Sequence, residues 1–191
     1  VYAFSPEMST DSIPNLDQAS SAETVYTQAS PLVDHENDMI KRLGDIIRTK
    51  QPSNDSLLET SRQLVLNAIQ TPQFNLEPIR SASLILRSRQ ANPAEASILL
   101  MALLRQQGIP SRFVGGLKIT GGDTAPTMEP HFWTEAFFQG YWIPMDASQA
   151  DAAVNADRLK FFDDPLITDN PYRLVLPLLE ACGDLSISFQ K

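Results

Sequence analysis

The sequence has few of the side chains that build disulfides and zinc sites. It contains one cysteine, Cys182, and two histidines, His35 and His131. A single cysteine excludes a disulfide within the chain, and three such side chains are too few for a Cys/His zinc site. Cys182 precedes Gly183 and is expected to be a small buried residue, not a nucleophile. No metal ion and no cofactor is expected.

Basic side chains are also scarce. Fifteen Lys and Arg residues stand against 23 Asp and Glu residues, so the formal net charge is -8. No local Lys/Arg cluster offsets this balance, and a surface that follows phosphates needs one. Nucleic acid is therefore excluded as the expected partner, whereas a protein or peptide partner stays open.

Long apolar runs are absent as well. No run approaches the roughly 20 residues that span a bilayer, and the N-terminus lacks the basic and apolar regions of a signal peptide. We expect no membrane insertion by this chain. The sequence leaves the compartment and the oligomeric state open, and an exported, periplasmic or cell-envelope location fits if a signal or anchor precedes Val1.

The composition suits one folded domain. The chain has 191 residues and 42% hydrophobic content, which is enough for an independent core. Residues 1–30 are rich in Ser, Thr, Asp, Asn and Pro and predict an extended or partly disordered lead-in. The folded domain is expected at 31–191.

Apolar residues recur at helical spacing in four segments of the first half. The predicted helices are 36–50, a second helix from about 55 that ends before Pro72, 81–89 and 93–107. Asp34 is expected to cap the first helix, and His35 beside it to be solvated. The helix at 93–107 is apolar on all sides, which is typical of a helix buried at the centre of a domain.

The ends of this central helix are marked by four residues. Asn92 is the expected N-cap, Pro93 takes the first helical position, and Glu95 completes a capping box. Gly108 follows the last turn, where a left-handed residue commonly ends a helix.

After Pro110 the pattern changes to period two, which predicts a meander of antiparallel strands. The strands are expected at 112–119, 132–138 and 141–145, with Gln139-Gly140 as a tight turn. A loop at 121–130 is long enough to cover a site. A strand at 158–161, a helix at 172–182 and a strand at 185–189 are expected to follow. Asp163 and Asp164 are interpreted as part of a solvated loop.

The turn also predicts that two polar residues, His131 and Asp146, lie close together. If Gln139-Gly140 is a two-residue turn, the register puts Asp146 opposite Trp133, so His131 is its diagonal neighbour on the same face at roughly 7–8 Å. The carboxylate then holds one imidazole nitrogen and leaves the other as a base. The same pair is also typical of a hydrogen-bonded core histidine, so the spacing alone leaves both interpretations open.

Four motifs in this order resemble the bacterial transglutaminase-like domain of the papain-like cysteine-enzyme group. They are Asn92-Pro93-Ala94-Glu95-Ala96-Ser97, Arg105-Gln106-Gln107-Gly108-Ile109-Pro110-Ser111-Arg112, His131-Phe132-Trp133-Thr134-Glu135 and Trp142-Ile143-Pro144-Met145-Asp146. The resemblance covers about residues 30–191 and implies an α+β fold with helices packed on an antiparallel sheet. By the same resemblance His131 is the base, Asp146 orients it, and the ligand-binding positions are Trp133, Glu135 and Trp142.

The chain departs from that family at the nucleophile. Aligned through Glu95 and the Gly-Ile-Pro turn, the family's cysteine falls on Pro93, which has no heteroatom. Ser97 is expected to point into packing. Ser148 is expected to face His131, but no helix N-terminus activates it there.

These features support three functional hypotheses. The first is a noncatalytic module whose cleft binds or scaffolds a protein or peptide. The second is an amidase or peptidase-like hydrolase that uses His131 and Asp146 with water or a recruited serine. The third is a purely structural domain of a larger secreted or envelope protein.

Overall fold

The computed structural model describes residues 24–50, 54–69, 71–72, 79–120, 127–150 and 157–168. These ranges contain four helices. The first three pack against the fourth, which also packs on a sheet. The helices are α1 (Asp38–Lys50), α2 (Asn54–Ala68), α3 (Ala82–Ser88) and α4 (Pro93–Gln106).

Four antiparallel strands form the main sheet in the order β5-β4-β3-β6. They are β3 (Ser111–Thr120), β4 (Thr127–Phe138), β5 (Tyr141–Met145) and β6 (Arg158–Asp164), preceded by a short parallel pair of β1 (Thr71–Pro72) and β2 (Gln90–Ala91). The predicted α+β class, with helices packed on an antiparallel sheet, is confirmed.

Helix α4 is the centre of the core, as its apolar surface predicts. All of residues 94–105 are buried. The Asn92 side chain accepts a bond from the Glu95 N–H at 2.9 Å, and the Glu95 carboxylate accepts from the Asn92 N–H at 3.2 Å. Arg80 then pairs with Glu95 at 2.7 Å. The predicted capping box is confirmed, and Pro93 stands at the first helical position.

The turn between β4 and β5 has the predicted two residues. Gln139 and Gly140 have φ angles of 53° and 86°, the left-handed values that a type I′ turn requires. Phe138 pairs with Tyr141, and the register continues to Glu135 and Pro144. Hydrogen-bonded and non-hydrogen-bonded pairs alternate from the turn, so the nitrogen of Pro144 faces the outer edge of the sheet, where no partner strand needs its N–H.

Three local predictions are wrong. Residues 127–130 belong to β4 and not to a loop. Asp34 does not cap α1, because its carboxylate accepts from the Ser83 N–H at 2.9 Å while Asn37 accepts from Met39 at the helix start. Asp163 and Asp164 lie on β6, not in a solvated loop.

Residues before the predicted domain start at 31 contact the domain. The Ser111 N–H donates to Tyr26 O at 3.0 Å and Arg105 donates to Gln28 O at 2.7 Å. The predicted helix at 172–182 with Cys182, and the strand at 185–189, lie outside the described residues. No helix within the described ranges is long and apolar enough to cross a membrane.

Candidate functional site

His131 and Asp146 meet as the hairpin register predicts. His131 lies on β4, and Asp146 directly follows β5. The Nε2 atom of His131 lies 2.7 Å from Oδ2 of Asp146, and the two side chains are 8% and 1% exposed. An ionised carboxylate only accepts hydrogen bonds, so Nε2 carries the proton in this pair. The other ring nitrogen, Nδ1, has no hydrogen-bond partner among the described residues.

Asp146 collects donors from three side chains. Its Oδ1 accepts from the N–H and the hydroxyl of Ser148 at 2.8 and 2.6 Å. Its Oδ2 accepts from Nη2 of Arg158 at 2.7 Å as well as from His131. Burial acts to raise the pKa of Asp146, but the bonds from His131 and Ser148 outweigh it and hold that pKa below its usual value. The carboxylate is therefore ionised at neutral pH.

Arg62 fixes the backbone that carries Asp146. Its side chain, on α2, is 1% exposed and pairs with Glu59 at 2.8 Å. Its Nη1 donates to the backbone oxygens of Asp146 at 3.1 Å and Gln149 at 2.9 Å, and Nη2 to that of Ala150 at 3.3 Å. The guanidinium of Arg62 on α2 therefore anchors the segment that follows β5.

Trp133 shares the face of His131, since side chains two apart on a strand point the same way. It is 3% exposed, so in this structure it packs inside the sheet face. Gly116, which pairs with His131, makes room for the Trp133 ring: a Cβ on Gly116 would lie 2.9 Å from that ring and 1.9 Å from Leu159 O. The Trp133 Nε1 atom is enclosed and has no hydrogen-bond partner in the part of the chain that the structure describes.

Glu135 and Trp142 are engaged by Arg112. Glu135 accepts from Arg112 Nε at 2.7 Å and from Lys160 at 2.8 Å. The Arg112 guanidinium also lies 4.0 Å from the centre of the Trp142 ring, within the range of a cation–π contact. Tyr26 packs against the same ring at 5.0 Å. The predicted ligand-binding positions therefore lie on one face but make internal contacts.

Comparison with known proteins now places the chain. Residues 41–147 match the family model of the transglutaminase-like superfamily, which is more than half of the chain. The chain belongs to the transglutaminase-like superfamily. The match includes Pro93, His131 and Asp146, and the resemblance seen in the motifs is confirmed.

Solved structures share this fold. One is described as "a Putative Cysteine Protease from Cytophaga hutchinsonii" and matches with a TM-score of 0.62 and 19% identity over 75% of this chain. The periplasmic domain of TgpA from Pseudomonas aeruginosa matches with a TM-score of 0.50 and 17% identity over 68% of this chain. Each match covers 47% of the other structure, so the chain spans about half their length. No curated protein matches the sequence.

In this transglutaminase-like domain, strand β4 contacts α4 near the start of its second turn. The hydroxyl of Thr134 donates to Ser97 O at 3.0 Å, and the hydroxyl of Ser97 donates to Pro93 O at 2.9 Å. Ser97 is thus bonded within its own helix, as expected. The pairs between β4 and β5 end at Thr134 and Met145, so the predicted pairing of Ser148 with His131 is not formed, and the Ser148 hydroxyl donates to Asp146.

Sequence reasoning missed Arg62 and Arg158. The one available signal for Arg158 was its position at the start of a predicted strand, which gives no indication of the carboxylate it reaches. His35 was expected to be solvated, but it is half-buried, and burial together with Arg105 lowers its pKa. Within the described ranges no cluster of three or more His, Cys, Asp or Glu side chains has the arrangement of a metal site.

Proposed function

We propose that this transglutaminase-like domain is noncatalytic and that it binds or scaffolds a protein or peptide. The observation that carries the proposal is Pro93 at the first position of α4, the position to which the motif alignment assigns the family's cysteine. The histidine and the aspartate of the family motif are present and in contact. The site therefore keeps a base and lacks the group from which a base would take a proton.

The chemistry of proline supports this proposal. A cysteine at a helix N-terminus is a nucleophile because backbone N–H groups and a nearby imidazolium stabilise its thiolate. Proline has no such atom and no backbone N–H to donate to an oxyanion. The loss of one oxyanion donor alone costs about 100 to 1000-fold in rate.

The start of α4 is also well stabilised. Glu95 places a carboxylate at the N-terminus of α4, where it accepts from the Asn92 N–H and pairs with Arg80. Proline at the first position is itself favourable for the helix.

The experiment is to restore the missing thiol. Pro93→Cys is compared with the wild type in a Cys182→Ser background, so that position 93 carries the sole cysteine. Under the proposal the wild type has no turnover on a panel of amide and ester substrates, while Pro93→Cys reacts with iodoacetamide faster than free cysteine at pH 6. Adding His131→Ala should remove that enhancement. Turnover by the wild type would overturn the proposal.

A second candidate function is a hydrolase that uses His131 as base with water or a recruited serine. The observation in its favour is the retained contact between His131 and Asp146, with Nδ1 unoccupied by the described residues. The hydroxyls of Ser97 and Ser148 are both committed to other acceptors, so water is the nucleophile this version requires. It predicts amide or ester turnover that disappears in His131→Ala.

A further inference from the structure

A groove lies between the three helices that pack on α4. It has a volume of about 400 Å³ and is lined by α1, the last residue of α2, α3 and the residue that follows α3. Its apolar lining residues are Met39, Leu43, Ile46, Ala68 and Leu86. The volume is within the range of ligand-binding clefts, and the groove shares no lining residue with the His131–Asp146 dyad.

Helix α1 carries more apolar surface than the core covers. Its buried residues are Ile40, Gly44 and Ile47. Met39, Leu43 and Ile46 repeat the same helical spacing one residue earlier, and this second stripe lines the groove. Met39 and Ile46 remain 39% and 45% exposed although both side chains are large and apolar. Contiguous apolar side chains of this kind, rimmed by polar groups, are typical of an interaction surface.

Two arginines complete the lining. Arg42 lies on α1, and Arg89 follows α3 as its left-handed C-cap with a φ angle of 58°. Both are exposed, and neither side chain forms an ion pair within the part of the chain that the structure describes. No carboxylate is among the residues that line the groove. In a chain with a net charge of -8, this local positive charge is complementary to an acidic partner.

The walls of the groove favour a helix as its occupant. An extended peptide needs partners for its backbone N–H and C=O groups, but the walls are helices that bond their own backbones, and the two arginine side chains only donate. A helix bonds its backbone internally and inserts apolar side chains at helical spacing into such a groove. A bilayer surface is flat and does not fill a concave one.

We propose that this groove binds an acidic amphipathic helix of a partner protein. The apolar stripe of that helix packs on Met39, Leu43 and Ile46, and its flanking Asp or Glu side chains pair with Arg42 and Arg89. The inference gives the binding part of the proposed function a surface and a class of partner, and in that respect it rests on the proposed function. It requires neither Pro93 nor the dyad.

The experiment starts from a display library of helical peptides with randomised surface positions, selected on the full chain. We expect the enriched sequences to carry an apolar stripe at helical spacing, flanked by Asp or Glu. The most enriched peptide is then synthesised and titrated by calorimetry. Ile46→Asp should weaken its binding about tenfold or more, because a charge then enters an apolar contact. Leu84→Asp changes an equally exposed apolar residue outside the groove lining and should leave binding unchanged.

Charge reversal on both sides tests the arginine contacts. Arg42→Glu should weaken the peptide about tenfold, and a peptide with Lys in place of its flanking acids should bind Arg42→Glu better than it binds the wild type. Arg87→Glu, at an exposed position of α3 outside the groove lining, is the matched control. Thermal unfolding verifies that each variant is folded, and Met39→Asp replaces Ile46→Asp if the latter is unfolded.

Two results of the selection would overturn the proposal: no enriched sequence with acidic flanks, or peptide binding that Ile46→Asp and Arg42→Glu leave unchanged. Two further results would assign the groove to another occupant. A wild-type dimer in sedimentation that Ile46→Asp dissociates would identify a second copy of the chain. Binding to vesicles of phosphatidylcholine and phosphatidylglycerol in equal parts, lost in the same variants, would identify a membrane.

The outcomes for the groove and for the dyad are separate. Failure of the peptide experiments leaves the absence of turnover standing. Turnover by the wild type would overturn the noncatalytic proposal and leave peptide binding in the groove untouched.

Discussion

Two charged clusters share one face of the sheet, one near each end of β4. The dyad cluster contains His131, Asp146 and Arg158. The outer cluster contains two carboxylates and two cations, and each carboxylate pairs with both cations. Its four ion pairs are Arg112–Glu135 at 2.6 Å, Arg112–Asp163 at 3.4 Å, Lys160–Glu135 at 2.8 Å and Lys160–Asp163 at 2.9 Å.

The difference between the clusters is one of balance. The outer cluster closes on itself, and its side chains are 11–32% exposed, so water completes what the ion pairs leave open. In the dyad cluster one carboxylate accepts from His131, from Arg158 and from the neighbouring Ser148, and two nitrogens of its arginine are enclosed without a partner among the described residues. The outer cluster, in which every charge is paired, supports the sheet. The dyad cluster keeps the cost of burying donor groups that are not paired, a cost that folding alone does not require. Such groups are typical of a functional site.

The largest expected effect comes from breaking the dyad cluster at its carboxylate. Asp146→Asn leaves the buried charge of Arg158 unopposed, so we expect a loss of about 3–5 kcal/mol in the free energy of unfolding. Urea denaturation at pH 7 measures it. Glu135→Gln, on the same face, is the matched control, and an equal loss in both variants would contradict the distinction between the clusters.

The loss of stability at acid pH should also distinguish the dyad cluster, because it depends on Asp146. Because the pKa of Asp146 is lowered on folding, its contribution is complete above the unfolded value near 3.9 and is lost as the pH falls through the folded pKa. Wild type should therefore lose more stability than Asp146→Asn does as the pH falls below about 4. Urea midpoints at several pH values give the two slopes. Parallel slopes would show that Asp146 titrates alike in both states.

Breaking the outer cluster should cost less and depend on salt. Glu135→Gln removes a carboxylate shared by Arg112 and Lys160, and partial exposure reduces the cost to about 1–2 kcal/mol. Salt screens exposed charges more than enclosed ones. The difference between wild type and variant should shrink in 1 M sodium chloride, whereas that of Asp146→Asn should not.

The smallest expected effect is that of Arg112→Lys. The variant keeps the charge for Glu135 but loses the planar group stacked on Trp142, and a cation–π contact of this kind contributes about 0.5–1 kcal/mol. Thermal and urea unfolding measure the loss. Arg87→Lys, at an exposed position on α3, is the control and should be neutral.

Much of the fold follows from local patterns. The all-round apolar surface of residues 93–107 predicts a buried helix, and the structure has α4 at Pro93–Gln106. The register of β4 and β5 follows from the turn at Gln139-Gly140, because a two-residue turn fixes which residues pair. The contact between His131 and Asp146 then follows by counting. Residues 127–130 were not recognised as strand, since Glu129 and Pro130 interrupt the period-two pattern.

The sequence by itself determined the central helix, its cap, the hairpin and the dyad, because each depends on residues close together in the chain. The tertiary structure alone decided which cations reach Asp146. Arg158 lies 12 residues after it and Arg62 lies 84 before it. The spacing of residues along the chain does not indicate which of the fifteen basic side chains contacts a given carboxylate. A long side chain reaches across to another strand or helix only after these elements have packed.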